Sequence, residues 1–343
     1  MSRPVISQNT PDDQMQPAAA AIMQTVKSPP QPGASSGTSS SFLKSLLRTF
    51  TSNPKALAGL SILSFFLLVA IFGPFFMHQG PNTFSNDLLA APSAAHWFGT
   101  TNLGQDVFTQ MVYATRASVL WGLATGLIAT FLSVVIGLAT GYLGGIIGDA
   151  LSLVINVFLV LPGLPLIVLI VAYMPVRGPV TVALVLALTN WAYQARVLRA
   201  QTLSLKQRDF VDAARSSGES TWRILFREIL PNEIAIVASG FIGTLIYVIG
   251  AAAGVEFLGL TDVTSVDWGT MLFWAQNNNA LLQGAWWWFV GPGLCLALLG
   301  AGLVLLNFSI DEIADPRLRN ELNLKQRVPR WYSLPFKKVQ QAQ

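Results

Sequence analysis

The chain has 343 residues, of which 52% are hydrophobic and only 11% are charged. A soluble globular protein carries about 25% charged residues, so this composition excludes one soluble core and indicates a protein that lies in lipid. The formal net charge of +4 could suit nucleic acid, but the positions of the basic residues indicate membrane topology, and no nucleic-acid partner is predicted.

The first 55 residues differ in composition from the rest of the chain. Residues 1–41 are rich in Pro, Gln, Ser, Ala and Thr and contain no long apolar run. They bury too little surface to offset the entropy of ordering, so they are expected to form a disordered cytoplasmic tail. Residues 42–55, which begin FLKSLLRTFT, are basic and amphipathic and are expected to lie on the membrane surface before the first span.

Charge-poor windows of about 20 residues then predict an all-α, polytopic fold with about six transmembrane helices between residues 56 and 310. The predicted spans are 56–77, a helix within 117–148, a helix within 150–176, 178–195, 234–255 and about 286–310. Glycines beside Asp149 supply the turn between the second and third spans. Pro162, Gly163 and Pro165 can break the third span, either for packing or where it lines a cavity.

The basic residues predict the orientation of these spans. With a cytoplasmic N-terminus, the cytoplasmic segments hold all but Arg116 and Arg177 of the 21 Lys and Arg residues. This distribution predicts a protein of the cell membrane with both termini cytoplasmic, including a C-terminal tail over residues 311–343. Trp286, Trp287 and Trp288 then begin the last span at its outer side, a depth that tryptophan prefers.

Other residue patterns carry less information. Gly137 with Gly141, and Gly250 with Gly254, have the spacing of close helix contacts, either within the chain or against a partner subunit. Cys295 cannot form an intrachain disulfide. His78 and His96 have no Cys or acidic partner at ligand spacing and are predicted to be loop residues.

No enzyme chemistry is predicted. The chain has no GxxxxGK[ST] phosphate-binding loop, so it is not expected to hydrolyse ATP itself. No catalytic set, metal site or cofactor is predicted.

A loop over residues 196–233 holds seven Lys and Arg residues in a chain that is otherwise poor in charge. Asp209 can cap a short helix, and Asp212 takes the position of a capping-box acid. Gly218 predicts the end of that helix.

A second short helix is predicted to follow in the same loop. Ser220 would cap this helix, over residues 221–229, and Pro231 would interrupt the backbone before the fifth span. Ala213 and Ala214 leave a shallow surface for another protein. From these residues alone, a docking element and a loop lying on the lipid headgroups are equally open interpretations.

One motif in this loop favours the docking element. The run Asp212-Ala213-Ala214-x3-Gly218, followed by Leu230-Pro231, resembles the EAA motif of binding-protein-dependent ABC importer permeases. In that family this loop is the coupling helix, which docks in a groove of the ATP-hydrolysing subunit. The resemblance therefore implies a coupling role for these six residues. Asp212 stands where the family usually has Glu, and both acids suit a helix N-terminus.

Further segments resemble the oligopeptide, dipeptide and nickel permeases, and among these the C-type subunit, over about residues 45–320. Residues 96–107, HWFGTTNLGQDV, resemble the family's HPFGTDxLGRDV segment, with Trp97 in place of Pro and Gln105 in place of Arg. Residues 256–260, the Trp268-Gly269 pair, Trp286-Trp287 and Pro292-Gly293 resemble its last outer loop, and residues 311–317 resemble its closing D-x-x-(x)-D-P-R segment.

The resemblance implies one half of a permease heterodimer, which works with two ATP-binding subunits and an extracytoplasmic solute-binding protein by alternating access. Di- and oligopeptides are the leading substrates, with oligosaccharides and nickel chelates as alternatives. An ion-coupled secondary transporter is the other class considered, but the predicted spans lack ionisable groups at mid-membrane. Glu256 is a candidate for contact with a peptide amino terminus, although a role in ordering the outer loop is favoured.

Overall fold

The computed structural model describes residues 53–314. The predicted tail over residues 1–41, most of the predicted amphipathic segment 42–55 and most of the predicted tail 311–343 lie outside the described residues. Within residues 53–314 the regular structure is helical apart from one isolated bridge between Thr100 and Asp106, which confirms the all-α prediction.

The helices follow one another with short connections, apart from the two segments that precede α2 and α9. Their bounds are α1 Pro54–Phe76, α2 Val107–Leu143, α3 Gly145–Val160, α4 Gly163–Tyr173, α5 Pro179–Leu205, α6 Asp209–Ser216, α7 Thr221–Arg223, α8 Leu230–Phe257, α9 Trp268–Asn277 and α10 Trp286–Ala314. A π-helical turn, Ile224–Ile229, joins α7 to α8.

Four helical stretches are long and apolar enough to cross a membrane: Pro54–Phe76, Val107–Leu143, Thr221–Phe257 and Trp286–Glu312. The predicted third span is a pair of helices, α3 and α4, bent by 89°, and it adds a fifth crossing if the pair counts as one span. The bend falls at Leu161 and Pro162, where proline cannot continue a helix, so the predicted break is confirmed.

The predicted fourth span corresponds to α5, and it does not meet the same criterion. Polar residues such as Asn190 and Gln194 lower the hydropathy of α5, and Arg196 and Arg199 follow them within the helix. The structure therefore supports the first, second, fifth and sixth predicted spans by length and composition, and it leaves the total of six unconfirmed.

The most extensive packing joins α2 to α5. A side chain at Gly137 would meet Ala195 O at 2.8 Å, and one at Gly141 would meet Arg199 O at 2.9 Å. These two glycines therefore allow close approach within the chain. Gly250 and Gly254 differ, because an added Cβ there would meet nothing within 4 Å. The same four-residue spacing of glycines therefore marks a close helix contact within the chain at Gly137 and Gly141, but not at Gly250 and Gly254.

The first and last described helices meet at one end of the bundle. Asn53 caps α1, and its Nδ2 donates to Glu312 Oε2 at 2.7 Å, while Lys55 Nζ lies 3.2 Å from Glu312 Oε1. This end also carries α6 and is named the α6 end. The opposite end carries α9 and the segment between α1 and α2, and it is named the α9 end.

Candidate functional site

The short helix α6 forms as predicted, but its N-terminus differs from the prediction. Its N-cap is Arg208, which makes no side-chain capping bond, and Asp209 is the first helical residue. The predicted capping box with Asp209 and Asp212 is therefore wrong. Both acids still lie in the first turn, where the helix dipole favours negative charge. Asp212 Oδ1 accepts a hydrogen bond from Arg215 Nη1 at 3.0 Å.

The end of α6 confirms the prediction for Gly218. Its φ is +77°, in the left-handed region that glycine enters without a steric penalty. Gly218 N–H donates to Arg215 O at 3.0 Å, and Glu219 N–H donates to Ala214 O at 3.2 Å. These two bonds form a Schellman motif, which ends the helix and sets the direction of the chain toward α7.

The predicted second short helix is correct at its start and wrong at its end. Ser220 Oγ accepts from Arg223 N–H, as a cap should. The helix does not stop before the fifth span, since Thr221–Phe257 runs without interruption. Leu230 N–H donates to Leu225 O, and this wider π-helical bonding precedes Pro231, whose ring cannot donate a backbone hydrogen bond. The chain changes from π-helical to α-helical bonding just before Pro231, and the helix does not break there.

Contacts on its inner face attach α6 to the bundle. Val211 is 0% exposed and packs in an apolar cluster with residues of α2, α5 and the π-helical turn, among them Leu138, Leu198 and Ile229. Ala214 and Leu230 pack against the same cluster, so two parts of the EAA-like motif meet there. The loop predicted from sequence is thus a packed element of the α6 end.

Two cations and an aromatic ring add a second attachment. The Tyr142 ring, at the end of α2, lies 5.4 Å from Lys206 Nζ and 5.8 Å from the guanidinium carbon of Arg215. Lys206 Nζ also donates to Tyr142 O at 2.6 Å. Tyr142 therefore contacts both the end of α5 and the short helix α6.

A buried carboxyl completes this end, and the sequence did not single it out. Glu233, in α8, is 0% exposed, and Thr202 Oγ1 of α5 donates to Glu233 Oε1 at 2.8 Å. Nothing in the local pattern distinguishes Glu233 from the partly buried Glu219 and Glu228 or from the exposed Asp212. The hydrogen bond joins α5 to the helix that continues from α7.

The outer surface of this element is accessible. Of the six motif residues, Asp212, Ala213, Gly218 and Pro231 are exposed, while Ala214 and Leu230 are partly buried. Trp222 is 67% exposed and lies against Phe226 with ring centroids 4.1 Å apart. Sequence reasoning missed Trp222, although a large aromatic residue in a basic loop is a signal for a protein contact.

At the α9 end, the structure brings two predicted motifs together. Trp287 Nε1, in the last span, donates to Thr100 O, in the 96–107 segment, at 3.2 Å. A Cβ on Gly99 would meet the same indole nitrogen, so this close contact needs glycine. The 96–107 segment therefore packs against the start of α10.

His96 has partners that its sequence neighbours did not predict. Its Nδ1 lies 3.0 Å from Asp106 Oδ1 and its Nε2 lies 3.4 Å from Asp87 Oδ2. The hydrogen bond to Asp106, with a smaller contribution from Asp87, raises the pKa of the imidazole above its ordinary value, although partial burial opposes the rise. Asp106 also caps α2 by accepting from Thr109 N–H at 2.8 Å.

Glu256 is placed inside the bundle at this end. It is 9% exposed, and its side chain lies against Gly269 at the start of α9, where an added Cβ would meet Glu256 Oε2 at 2.5 Å. Together with Ser118 and Asp267 it lines a small cavity of about 20 Å³. These contacts favour the interpretation that Glu256 orders the segment before α9, while contact with substrate stays a prediction.

Comparison with known proteins agrees with this architecture. Residues 133–320 match the family model described as the binding-protein-dependent transport system inner membrane component. The chain belongs to this family. Residues 41–92 also match the N-terminal transmembrane domain of oligopeptide transport permease C. The family assignment confirms the resemblance inferred from the motifs and identifies a multi-pass membrane transport protein.

Individual relatives cover most of the chain. It is 32% identical to the dipeptide transport system permease protein DppC of Bacillus subtilis, over 81% of this chain and 87% of the relative. It is 30% identical to the oligopeptide permease OppC of Bacillus subtilis, over 91% of this chain and 99% of the relative. The probable D,D-dipeptide transport system permease protein DdpC of Escherichia coli is 30% identical, over 77% of this chain and 88% of the relative.

Proposed function

We propose that this chain is a membrane-spanning subunit of an ATP-driven importer, and that it couples ATP hydrolysis by partner subunits to alternating access. The assembly would contain a second permease subunit, two ATP-binding subunits and an extracytoplasmic solute-binding protein. Di- and oligopeptides are the proposed cargo, because the relatives named above are dipeptide and oligopeptide permeases.

The observation that carries the proposal is the attachment of α6 to the bundle. A loop lying on headgroups would turn its apolar residues to lipid, whereas Val211 is wholly buried against α2 and α5. The exposed face of α6 and α7 then presents Ala213 and Trp222 away from the bundle. Small side chains admit close approach, and an exposed Trp suits a protein contact.

The helical stretch that follows α6 is long enough to carry a movement of α6 across the membrane. The helical stretch Thr221–Phe257 has 37 residues, and a helix of that length extends about 55 Å. That length exceeds the roughly 30 Å of hydrocarbon, so one rigid element reaches from the coupling surface across the bilayer. We infer that tilting of this element opens the pathway to one side or the other, as two states biased by nucleotide-dependent contacts.

The proposed orientation puts the α6 end in the cytoplasm. The described chain begins and ends at that end, through the contacts of Asn53 and Lys55 with Glu312. Both termini would then be cytoplasmic, in agreement with the bias of Lys and Arg residues. The α9 end would face the solute-binding protein.

Gly218→Val tests the coupling role. An added Cβ at Gly218 would meet nothing within 4 Å, so a bulkier residue adds backbone strain of roughly 1–3 kcal/mol without a clash. We expect near-normal membrane levels, with lower retention of the ATP-binding subunits and lower uptake. Gly218→Asn is the matched control, because asparagine tolerates the left-handed region better than valine.

Asp212→Lys tests the same surface through charge. It removes the 3.0 Å pair with Arg215 and places a cation near the positive helix start. Co-purification of the ATP-binding subunits with tagged permease, together with uptake, measures both variants. If Gly218→Val and Asp212→Lys keep full retention and full uptake, α6 is not the coupling element.

A further inference from the structure

A pocket of about 490 Å³ lies at the α9 end, between the segment that precedes α2 and the region around α9. Its volume falls within the range of about 300–1,000 Å³ typical of small-molecule sites. Asn102 and Gln105 belong to the 96–107 segment, but neither the motif resemblance nor the coupling mechanism assigns a function to this pocket. The side chains that define its chemistry are Asn102, Gln105, Gln110, Thr264, Ser265 and Asn278.

The lining of this pocket, the amide pocket, carries no ionisable side chain among the described residues. Its polar groups are carboxamides and hydroxyls, and Phe84, Trp274 and Trp288 supply aromatic walls. The Thr264 and Ser265 hydroxyls already donate to Asp262 and Asp267, so a charged ligand would lose hydration against neutral lining groups, which is costly. The lining therefore selects an uncharged ligand that offers both hydrogen-bond donors and acceptors.

The amides are held in place before any ligand arrives. Asn102 Nδ2 donates to Asn278 Oδ1 at 2.7 Å, which joins the two sides of the amide pocket. Gln110 Nε2 donates to Gln105 Oε1 at 2.9 Å. The donors Asn102 and Gln110 keep their carboxamide oxygens, and Gln105 keeps its NH₂ group, so both kinds of group remain for a ligand. Asn278 Nδ2 also donates to Trp274 O at 2.9 Å, so only one of its two N–H groups remains.

We propose that the amide pocket binds the main chain of a peptide at the entry side of the permease. Peptide groups present one N–H and one C=O each, which matches carboxamides that offer both partners. The aromatic walls accept apolar side chains of varied size. This proposal rests on the proposed transport function, and it makes nickel chelates, which carry charge and need nitrogen or carboxylate ligands, a poor match to this site.

The test uses the assembled transporter in lipid nanodiscs without the solute-binding protein. The probe is N-acetyl-trialanine amide, which is a peptide main chain with no terminal charge, and maltotriose serves as the carbohydrate probe. Binding is measured by saturation-transfer NMR. We expect the peptide probe to bind and maltotriose not to compete with it.

The variant for this test is Gln105→Leu with Gln110→Leu. It removes both partners of one hydrogen bond, so no buried amide is left unpaired, and it keeps side-chain volume. We expect affinity for the peptide probe to fall about tenfold, as the loss of two neutral hydrogen bonds implies. Gln276→Leu, at an exposed amide of α9 outside the pocket, is the matched control and should bind normally.

The outcomes separate this inference from the proposed function. Retention of the ATP-binding subunits should be unchanged in the double variant, while the KM for peptide uptake rises. Unchanged peptide binding in the double variant would overturn the proposal, as would displacement of the probe by maltotriose. If the double variant weakens binding of the solute-binding protein but not of the peptide probe, the pocket receives that protein and the proposal is wrong. Failure of the proposed coupling function has a different signature, which is full retention and full uptake in Gly218→Val and Asp212→Lys.

Discussion

The two ends of the bundle are held together by different chemistry. At the α6 end, an apolar cluster around Val211 and a hydrogen bond from Thr202 to the buried carboxyl of Glu233 join α5, α6 and α8. At the α9 end, neutral hydrogen bonds such as Asn102 to Asn278 join long connecting segments. The first arrangement resists rotation of one helix against another, whereas the second leaves donors and acceptors for a ligand.

The comparison is consistent with the two proposed roles, coupling to an ATPase subunit at the α6 end and peptide binding at the α9 end. A surface that transmits force to an ATPase subunit has to move as one body with the helices behind it. A surface that receives solute needs hydrogen-bonding groups that water can also satisfy while the site is empty. Substitutions at the α6 end should therefore lower subunit retention and uptake, whereas substitutions in the amide pocket should lower peptide binding.

The largest expected effect is that of Val211→Asp. A carboxylate in the apolar cluster beneath α6 would be buried without a cation, at a cost of several kcal/mol, which is more than the attachment of a short helix can supply. We expect retention of the ATP-binding subunits and uptake to fall to background.

Ser204→Asp is the control for that variant, because Ser204 is exposed in the same region. Hydrogen exchange of residues 206–220 would report directly on release of α6. Should Val211→Asp retain both subunits and uptake, α6 does not depend on the bundle, and the difference drawn between the two ends is wrong.

Local chemistry made some features of this fold predictable. The first span was predicted at 56–77 and is found at Pro54–Phe76, because nothing but an uninterrupted apolar run was needed. Gly218 was predicted as the end of α6, since its position after a helical pattern leaves few alternatives. The break at Pro162 followed from the covalent structure of proline.

Features that depend on distant residues were not predictable. Pro231 was expected to break the helix, but the helix continues through a π-helical turn that directly precedes it. No local residue predicts this arrangement. Glu233 accepts a hydrogen bond from Thr202 of another helix, and His96 meets Asp106 only because the loop between them folds back. The amide pocket joins residues more than 150 positions apart, such as Asn102 and Asn278, so only the packed structure reveals it.

A smaller effect is expected for Tyr142→Leu. The substitution removes a ring that contacts Lys206 and Arg215, and each cation–π contact at a partly exposed site contributes about 0.5–1 kcal/mol. We expect a few-fold loss in uptake per ATP hydrolysed, with normal subunit retention, because α6 stays attached through Val211. Tyr142→Phe keeps the ring and should behave as wild type. Equal losses in both variants would show that the hydroxyl, and not the ring, has the coupling role.

The smallest expected effect is a pH dependence of the segment around His96 at the α9 end. Because the pKa of His96 is raised in the folded protein, the interaction with Asp106 stabilises the segment fully below the ordinary imidazole pKa of 6.5. The stabilisation is lost as pH rises from 6.5 through the higher folded-state pKa. We therefore expect hydrogen exchange in residues 93–106 to quicken as pH rises above 6.5, beyond the intrinsic base-catalysed increase. His96→Gln keeps hydrogen-bonding capacity without titration, so it should abolish the excess; an excess that persists in this variant would assign the effect to another group.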